Sequence, residues 1–302
     1  MIKRSSIRFL FVVIIVLVVA GCGGPEPISA ERYIETDQLI SQIDKNLAAS
    51  ARLSKLVDID HSRMGQQAGS VMPPARVLIF SDSQLETELV KQNPLVALDL
   101  PLRVLVFEDE SDNSSKIIYN SFDYLVSRYQ LDAGSSNELR EKYNKGMSTA
   151  INGLPATAVA AFPSDAMSPD GIVTIESPYG YQETIERVNA AINAQSDTMH
   201  FGAVDFQANA QKLGIEIAPS HLILFGGPGP GGKAMAEAPT LGLDGFCQKF
   251  LIWEDSSGRI NLSFNDLLAL AERQGVKKTL ALRVINHRLS KTFGDALASN
   301  QS

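Results

Sequence analysis

The sequence predicts an α+β fold built from two tandem copies of one small domain, each a mainly antiparallel sheet with helices. Three observations predict it. The chain repeats itself: residues 34–99 laid over 179–244 at a constant offset of 145 place "VDIDHSRMGQQAGSVMPPARVLIF" on "GAVDFQANAQKLGIEIAPSHLILF". Asp60 meets Asp205, Gly69 meets Gly214, Pro74 meets Pro219 and Asp99 meets Asp244, and a fixed offset of this kind is the signature of duplication. Each copy mixes 3.6-period segments with short apolar runs. Each also carries two strands at hairpin spacing, "LRVLVFED" with "KIIYN" and "KFLIWED" with "RINLS", which separates α+β from a strictly alternating α/β sheet.

The elements follow in order. A helix opens each copy, "DQLISQIDKNLAA" and "QETIERVNAAINA", with apolar residues at i, i+3 or i+4 and i+7. A strand ending in "DID" or "AVD" comes next, then a short helix closed by Gly69 or Gly214 in a C-cap role. The apolar strands "RVLIF" and "HLILF" run into a turn and a short helix. The hairpin follows. A terminal helix starts near Ser121 or Ser263, each a candidate N-cap. Helices over 137–151 and 279–298 close the copies. The Pro/Gly-bearing stretch "NGLPATAVAAFPSDAMSPDG" (152–171) marks a boundary. The expected organisation is a signal peptide at 1–21, a lipidated tether at 22–32, a first repeat at 33–152, a linker at 153–171 and a second repeat at 172–300. Duplicated domains are expected to pack on each other about a pseudo-twofold axis, as a homodimer would.

The N-terminus sets the expected location. Lys3, Arg4 and Arg8 precede an apolar run from Phe9 to Ala20. That run is shorter than the about 20 residues a membrane span requires and has the length of a signal-peptide core. Its end, "VAGC", resembles the lipobox of bacterial lipoproteins. The resemblance implies cleavage before Cys22 and acylation of its thiol with palmitate-type chains. Two or more chains anchor stably. Gly23 stands where an inner-membrane retention signal usually has Asp, which points to the periplasmic face of the outer membrane. The partner expected from this is the bilayer.

Charge narrows the partners. The chain carries −7, and loss of three basic residues in 1–21 takes it to −10. An acidic chain without a basic stripe argues against nucleic acid as a partner. Once Cys22 is acylated, Cys247 is the one remaining thiol, so neither a disulfide framework nor a multi-cysteine metal site is available. No cofactor and no metal is expected.

The matched segments also carry a family resemblance. Copy one supplies "IDH" (59–61), "PARVLIF" (74–80), "ALDLPLRVLVFED" (97–109) and "IIYNSFDYLVSRYQL" (117–131). Copy two supplies "AVD" (203–205), "PSHLILFGGPGPGGKAM" (219–235), "GLDGFCQKFLIWED" (242–255) and "INLSFNDLLALAERQGV" (260–276). Both resemble the bacterial and archaeal family catalogued as domain of unknown function 302. The resemblance implies a compact α+β domain that commonly pairs, and no established reaction. Copy one keeps His61 but has "SDSQLETEL" in place of the family's glycine turn. Copy two keeps the glycines but has Phe206 at the histidine position.

Candidate site residues fall in three groups. Gly226, Gly227, Gly229 and Lys233 imitate a phosphate loop, but position 234 is Ala instead of a hydroxyl residue, and Pro228 and Pro230 lack N–H donors. Nucleoside triphosphate binding is therefore not expected, and a structural turn is. Binding of a small anion by the remaining N–H groups is the weaker reading. His61 beside Asp60, with Asp99, forms the candidate acid–base set, against a plainer reading of His61 as a helix-start residue. Asp60, Asp205, Asp99 and Asp244 recur between copies, and Asp is also a natural N-cap and turn former. Cys247 reads as an inert core thiol. The leading functional expectation is a membrane-anchored, periplasm-facing module that binds a protein or small molecule. The alternative is an enzyme or small-ligand sensor with a polar pocket around His61 and Asp99. Convergence of His61 with carboxylates in one cleft would distinguish them.

Overall fold

Ile40, Ile43 and Leu47 in the first copy, and Ile185, Val188 and Ile192 in the second, stand at i, i+3 and i+7 and are all buried. This one-sided stripe makes each opening helix amphipathic and seats it on its own sheet. The computed structural model describes residues 26–132, 136–159 and 171–298. Cys22 and the signal-peptide segment lie outside the described residues.

In copy one, α1 (Ile34–Ala48) is followed by β1 (Ser54–Asp60), α2 (His61–Gln67), β2 (Ala75–Ser81) and α3 (Ser83–Gln92). A 3-10 turn, Pro94–Asp99, leads to β3 (Leu102–Asp109), β4 (Ser114–Asn120), α4 (Phe122–Tyr129), α5 (Ser136–Ala150) and β5 (Ala156–Val159). Copy two runs β6 (Ile172–Ser177), α6 (Tyr181–Asn193), β7 (Met199–Asp205), α7 (Phe206–Lys212), β8 (Ser220–Gly226) and α8 (Pro228–Met235). The 3-10 turn Pro239–Gly242 then leads to β9 (Gln248–Glu254), β10 (Ile260–Asn265), α9 (Leu267–Arg273) and α10 (Leu280–Leu297).

The strands form two five-stranded sheets, ordered β1-β2-β3-β4-β5 and β6-β10-β9-β8-β7. Neighbours are antiparallel except β4 and β5, which run parallel. The α+β reading holds. Two strands were not visible as such in the sequence. Residues 156–159, expected as linker, add to the open edge of β4, and β6 covers the corresponding edge of β10. An unpaired edge is a liability, and both copies cover it with the chain between them. The helix of copy two starts later than expected. Ser263 is a strand residue, fully buried, whose hydroxyl accepts from the Trp253 indole at 2.9 Å. Asp266 instead caps α9, accepting from Leu268 and Ala269. In copy one Ser121 caps α4 through Tyr124 N–H.

The two copies meet across a reciprocal seam. Helix α2 packs on α8 and α3 on α7, while each 3-10 turn packs against the other copy's central strands. These contacts come in pairs with the copies exchanged, which is the form of an isologous interface. The seam explains the unbroken apolar runs. Val77, Leu78, Ile79 and Phe80 on β2, and Phe250, Leu251 and Ile252 on β9, are all buried. One sheet face is covered by α1 or α6 and the other by the neighbouring copy, so neither face alternates to polar residues.

Candidate functional site

The glycine segment comes first. It is a helix and not the turn expected from the sequence. Gly227 is the N-cap in extended geometry, Pro228 takes the first helical position, and Gly231 N–H donates to Gly227 O at 2.8 Å. Proline at the start of a helix removes N–H groups that have no intrahelical partner, and its fixed φ already suits the helix. The glycines are there for close approach. A Cβ on Gly232 would strike Ser70 Oγ and lie 3.3 Å from Gly65 Cα. One on Gly227 would sit 2.8 Å from the Asp197 carbonyl oxygen, and one on Gly226 at the same distance from the Phe201 ring. Helix α8 therefore presses on α2 with backbone nearly against backbone. In copy one the equivalent helix α3 is closed by its own side chains. Asp82 caps it through Leu85 N–H, and buried Glu86 accepts from Ser81 Oγ and Asp82 N–H.

Beside α8 lies an open cavity of about 830 Å³, bounded by α8, the first turns of α10, residues 196–199 and Ala68. Its walls are largely apolar. Leu280 is 78 % exposed, Val284 57 % and Met199 44 %. Gly229 and the exposed Lys233 line it. Gly226 and Gly227 do not. They border a much smaller cavity behind α8, shared with His61, Met64, Met235 and Cys247. Single exposed apolar residues are ordinary, but several lining one concavity of ligand size are the usual mark of a binding site.

His61, the first residue of α2, is buried, with Nε2 3.3 Å from the carbonyl oxygen of Gly242 across the seam. Burial pushes its pKa down to about 4; the Gly242 carbonyl works against the shift and nearby Lys249 adds to it. Asp60 is turned away from it. One carboxylate oxygen caps α2 through Arg63 N–H at 2.8 Å and the other accepts from the Arg63 guanidinium at 2.7 Å. Asp205 caps α7 in the same way through Ala208 N–H at 2.8 Å. Among the described residues Asp99 is engaged elsewhere, and no hydrogen bond or ion pair joins it to His61. The cavity that His61 borders does not include Asp99, so the two are not brought together as the alternative reading expected. His61 opens a helix facing Gly242, whereas Asp99 ends a 3-10 turn and is drawn to arginines. Among the described residues no group of three or more His, Cys, Asp or Glu is arranged to hold a metal. Burial pushes the Cys247 thiol up to about 11, leaving it protonated.

Asp99 and Asp244 lie instead at the centre of a buried polar cluster along the seam. Asp99 accepts from Arg103 Nη2 at 2.5 Å, Arg128 Nη1 at 2.6 Å and the Tyr129 hydroxyl at 2.6 Å. Burial works against ionisation of Asp99, but Arg128 and Arg103 outweigh it, so its pKa lies below the ordinary value. Asp244 accepts from Arg273 and from Asn120 Nδ2, the latter at 2.8 Å. Arg103 also lies 3.3 Å from Asp244. Arg128 reaches across to Asn265 Oδ1 at 2.6 Å, and Arg273 reaches back to Asn120 Oδ1 at 3.2 Å. The Arg273 guanidinium also lies 4.5 Å from the centre of the Tyr124 ring. Lys249 donates to the carbonyls of Asp244 and Cys247. Burial first, then Arg103, pushes its pKa down to about 7. Sequence reasoning found the two aspartates and missed their partners. The signal was present: Asn120/Asn265 and Arg128/Arg273 recur at offset 145, and Arg103/Lys249 at 146.

Comparison with known proteins agrees with the duplication. The family described as "Domain of unknown function DUF302" matches twice, at residues 30–150 and 173–293. Two proteins named fluoride-specific ion channel FluC 1 are each 38 % identical over 126 residues. The one from Brucella suis biovar 1 (strain 1330) is covered over 48 % of its length, and the one from Brucella abortus biovar 1 (strain 9-941) over 46 %. Each match uses 41 % of this chain, which thus spans about half the length of these curated relatives. Among the described residues no helix is long and apolar enough to cross a membrane. A solved structure titled as the uncharacterized conserved protein DUF302 from Bacillus stearothermophilus is 17 % identical, with a TM-score of 0.35, covering 42 % of this chain and 95 % of that one. Two family matches over most of the chain, on two copies that share their element order from the opening helix to the closing helix, make this protein a tandem member of the DUF302 family.

Proposed function

We propose that the protein is a lipid-anchored binding module. In this reading, acylated Cys22 holds it to the periplasmic face of the outer membrane, and the cavity beside α8 takes a small amphiphile, apolar along its body and anionic at one end. The cavity carries the proposal. Its volume of about 830 Å³ is in the range of small-molecule sites. Leu280, Val284 and Met199 offer apolar surface that folding leaves uncovered, and Lys233 places a cation on the wall. The channel activity of the Brucella relatives is not carried over, because the match leaves half of each relative unaccounted for.

Decanoate, with one alkyl chain and one carboxylate, serves as the probe in titration calorimetry. Saturable binding to the parent is expected, with loss of binding in Val284→Asp and about tenfold weakening in Lys233→Met, equivalent to about 1.4 kcal/mol. Val284 is mostly exposed, so the aspartate leaves the core intact. Equal binding by the parent and Val284→Asp would remove the cavity from the proposal. The anchor is tested independently. Cys22→Ser is expected to shift the protein from the membrane fraction to the soluble fraction and to end acyl labelling; a labelled mutant refutes the lipidation.

A further inference from the structure

The duplication supplies a comparison for the two closing helices. Leu139 and Leu282, and Tyr143 and Asn286, are buried at matching positions, which sets α5 on α10 at an offset of 143. At that offset Leu280, Ala281, Val284 and Ile285 stand where α5 has Asn137, Glu138, Glu141 and Lys142. The fold accepts polar residues at these places, and copy two has apolar ones. Leu280 and Val284 share the outer face of α10 with Arg283, His287 and Lys291, all five exposed, at i, i+3, i+4, i+7 and i+11.

Positive charge gathers in the same place. Residues 277–291 hold five Lys or Arg and no Asp or Glu, and the net charge of −7 for the whole chain conceals the run. Lys278, Arg288 and Lys291 are paired with Glu272, Asp197 and Asp295. Lys277 and Arg283 are exposed, and neither forms an ion pair among the described residues. In copy one the counterpart of Arg283 is Arg140, paired with Asp123 at 2.6 Å. The position matching Asp123 is Leu268, so Arg283 loses that partner. Cations at the start of a helix oppose its dipole, so helix formation does not call for them. Exposed apolar residues inside a basic rim fit an anionic lipid surface. A nucleic acid would use the charges and leave Leu280 and Val284 in water.

The chain that leads to Cys22 meets the fold beside the same face. Ile28 N–H donates to Gln66 Oε1 at 3.2 Å, near the end of α2. Ala68, the C-cap of α2, borders the cavity beside α8 together with Leu280 and Val284. Cys22 is six positions before Ile28, a reach of at most about 20 Å. We propose that Lys277, Leu280, Arg283 and Val284 rest on an anionic phospholipid surface, so that the cavity beside α8 opens towards the membrane. The face adds a second, reversible contact to the acyl anchor. Resting on the reading of the cavity as an amphiphile site, it makes the leaflet the source of the amphiphile. A stripe of this size does not hold the protein through membrane washing, so the fractionation expected for Cys22→Ser is unchanged.

The test is flotation of the unacylated chain 22–302, carrying Cys22→Ser, with excess phosphatidylcholine vesicles that contain or lack phosphatidylglycerol. Binding is expected with phosphatidylglycerol only, and it should fall as salt is raised. Leu280→Asn with Val284→Glu gives α10 the residues of α5 and should abolish it. Lys277→Glu with Arg283→Glu should weaken it by about tenfold or more. Neither Lys277 nor Arg283 lines the cavity, so this charge-reversed variant should bind decanoate as the parent does. No flotation of the parent, or equal flotation of the parent and both variants, overturns the docking face. A parent that floats but does not bind decanoate overturns the cavity reading and leaves the face standing.

Discussion

Replacing Asp99 with asparagine is expected to lower the unfolding free energy by about 3–5 kcal/mol, the usual loss when one partner of a buried ion pair is removed. The asparagine side chain has nearly the shape of the aspartate it replaces, so the effect isolates the charge. Three donors now converge on the carboxylate, from Arg103, Arg128 and Tyr129. After substitution both arginines stay charged, and the carboxylate that both of them bond is gone. Small and medium domains have about 5–15 kcal/mol of stability in total, so the loss should be plain as a lower urea midpoint. Asp60→Ala is the proper contrast. Asp60 also recurs in both copies, but it is a half-exposed N-cap paired with a half-exposed Arg63. Loss of such a cap costs about 1 kcal/mol. If the two substitutions cost the same, the ion cluster does not hold the seam in the way described.

That contrast also measures what could be read from the sequence. Recurrence at offset 145 marked Asp60, Asp99, Asp205 and Asp244 alike, because duplication preserves any residue the fold uses twice. It carries no information on which aspartate ends up under solvent and which under another domain. The difference is made by contacts across the seam, between residues more than 100 positions apart, and local periodicity does not encode them. Helices and central strands were legible because burial on one or both faces leaves its period in the chain. The edge strands β5 and β6 were not: β5 closes one copy while β6 opens the other, so the repeat did not pair them as it paired the other edge strands, β1 and β7. The glycine segment misled for a physical reason. Glycine serves equally where a phosphate must approach backbone and where a second helix must, and Gly232 against Gly65 is the second case. The missing hydroxyl at position 234 was enough to dismiss the phosphate loop, but not to reveal the helix crossing that replaces it.

His61→Phe is expected to flatten the acid limb of the stability curve. Copy two already places Phe206 at the equivalent position, buried against the seam. In the parent, burial holds the His61 imidazole neutral down to about pH 4, while in the unfolded chain it takes up a proton near pH 6.5. Between those values the unfolded state binds more protons, so stability falls as the pH is lowered from 6.5 towards 4. At about 1.4 kcal/mol per pH unit the loss from this one group approaches about 3 kcal/mol. Glu86 has the opposite sign. Burial pushes its carboxyl up to about 7, so the folded state holds a proton that the unfolded chain releases above about 4.3, and this contribution is lost as the pH rises through the same window. The two slopes partly cancel in the parent, and only the difference between variant and parent isolates the histidine. The unfolding free energy of His61→Phe minus that of the parent should therefore rise by about 3 kcal/mol from pH 7 to pH 4, whatever its offset at pH 7. A difference that stays constant with pH would mean that His61 titrates in the folded protein as it does in the unfolded chain. The seam between α2 and the Pro239–Gly242 turn would then be open to water.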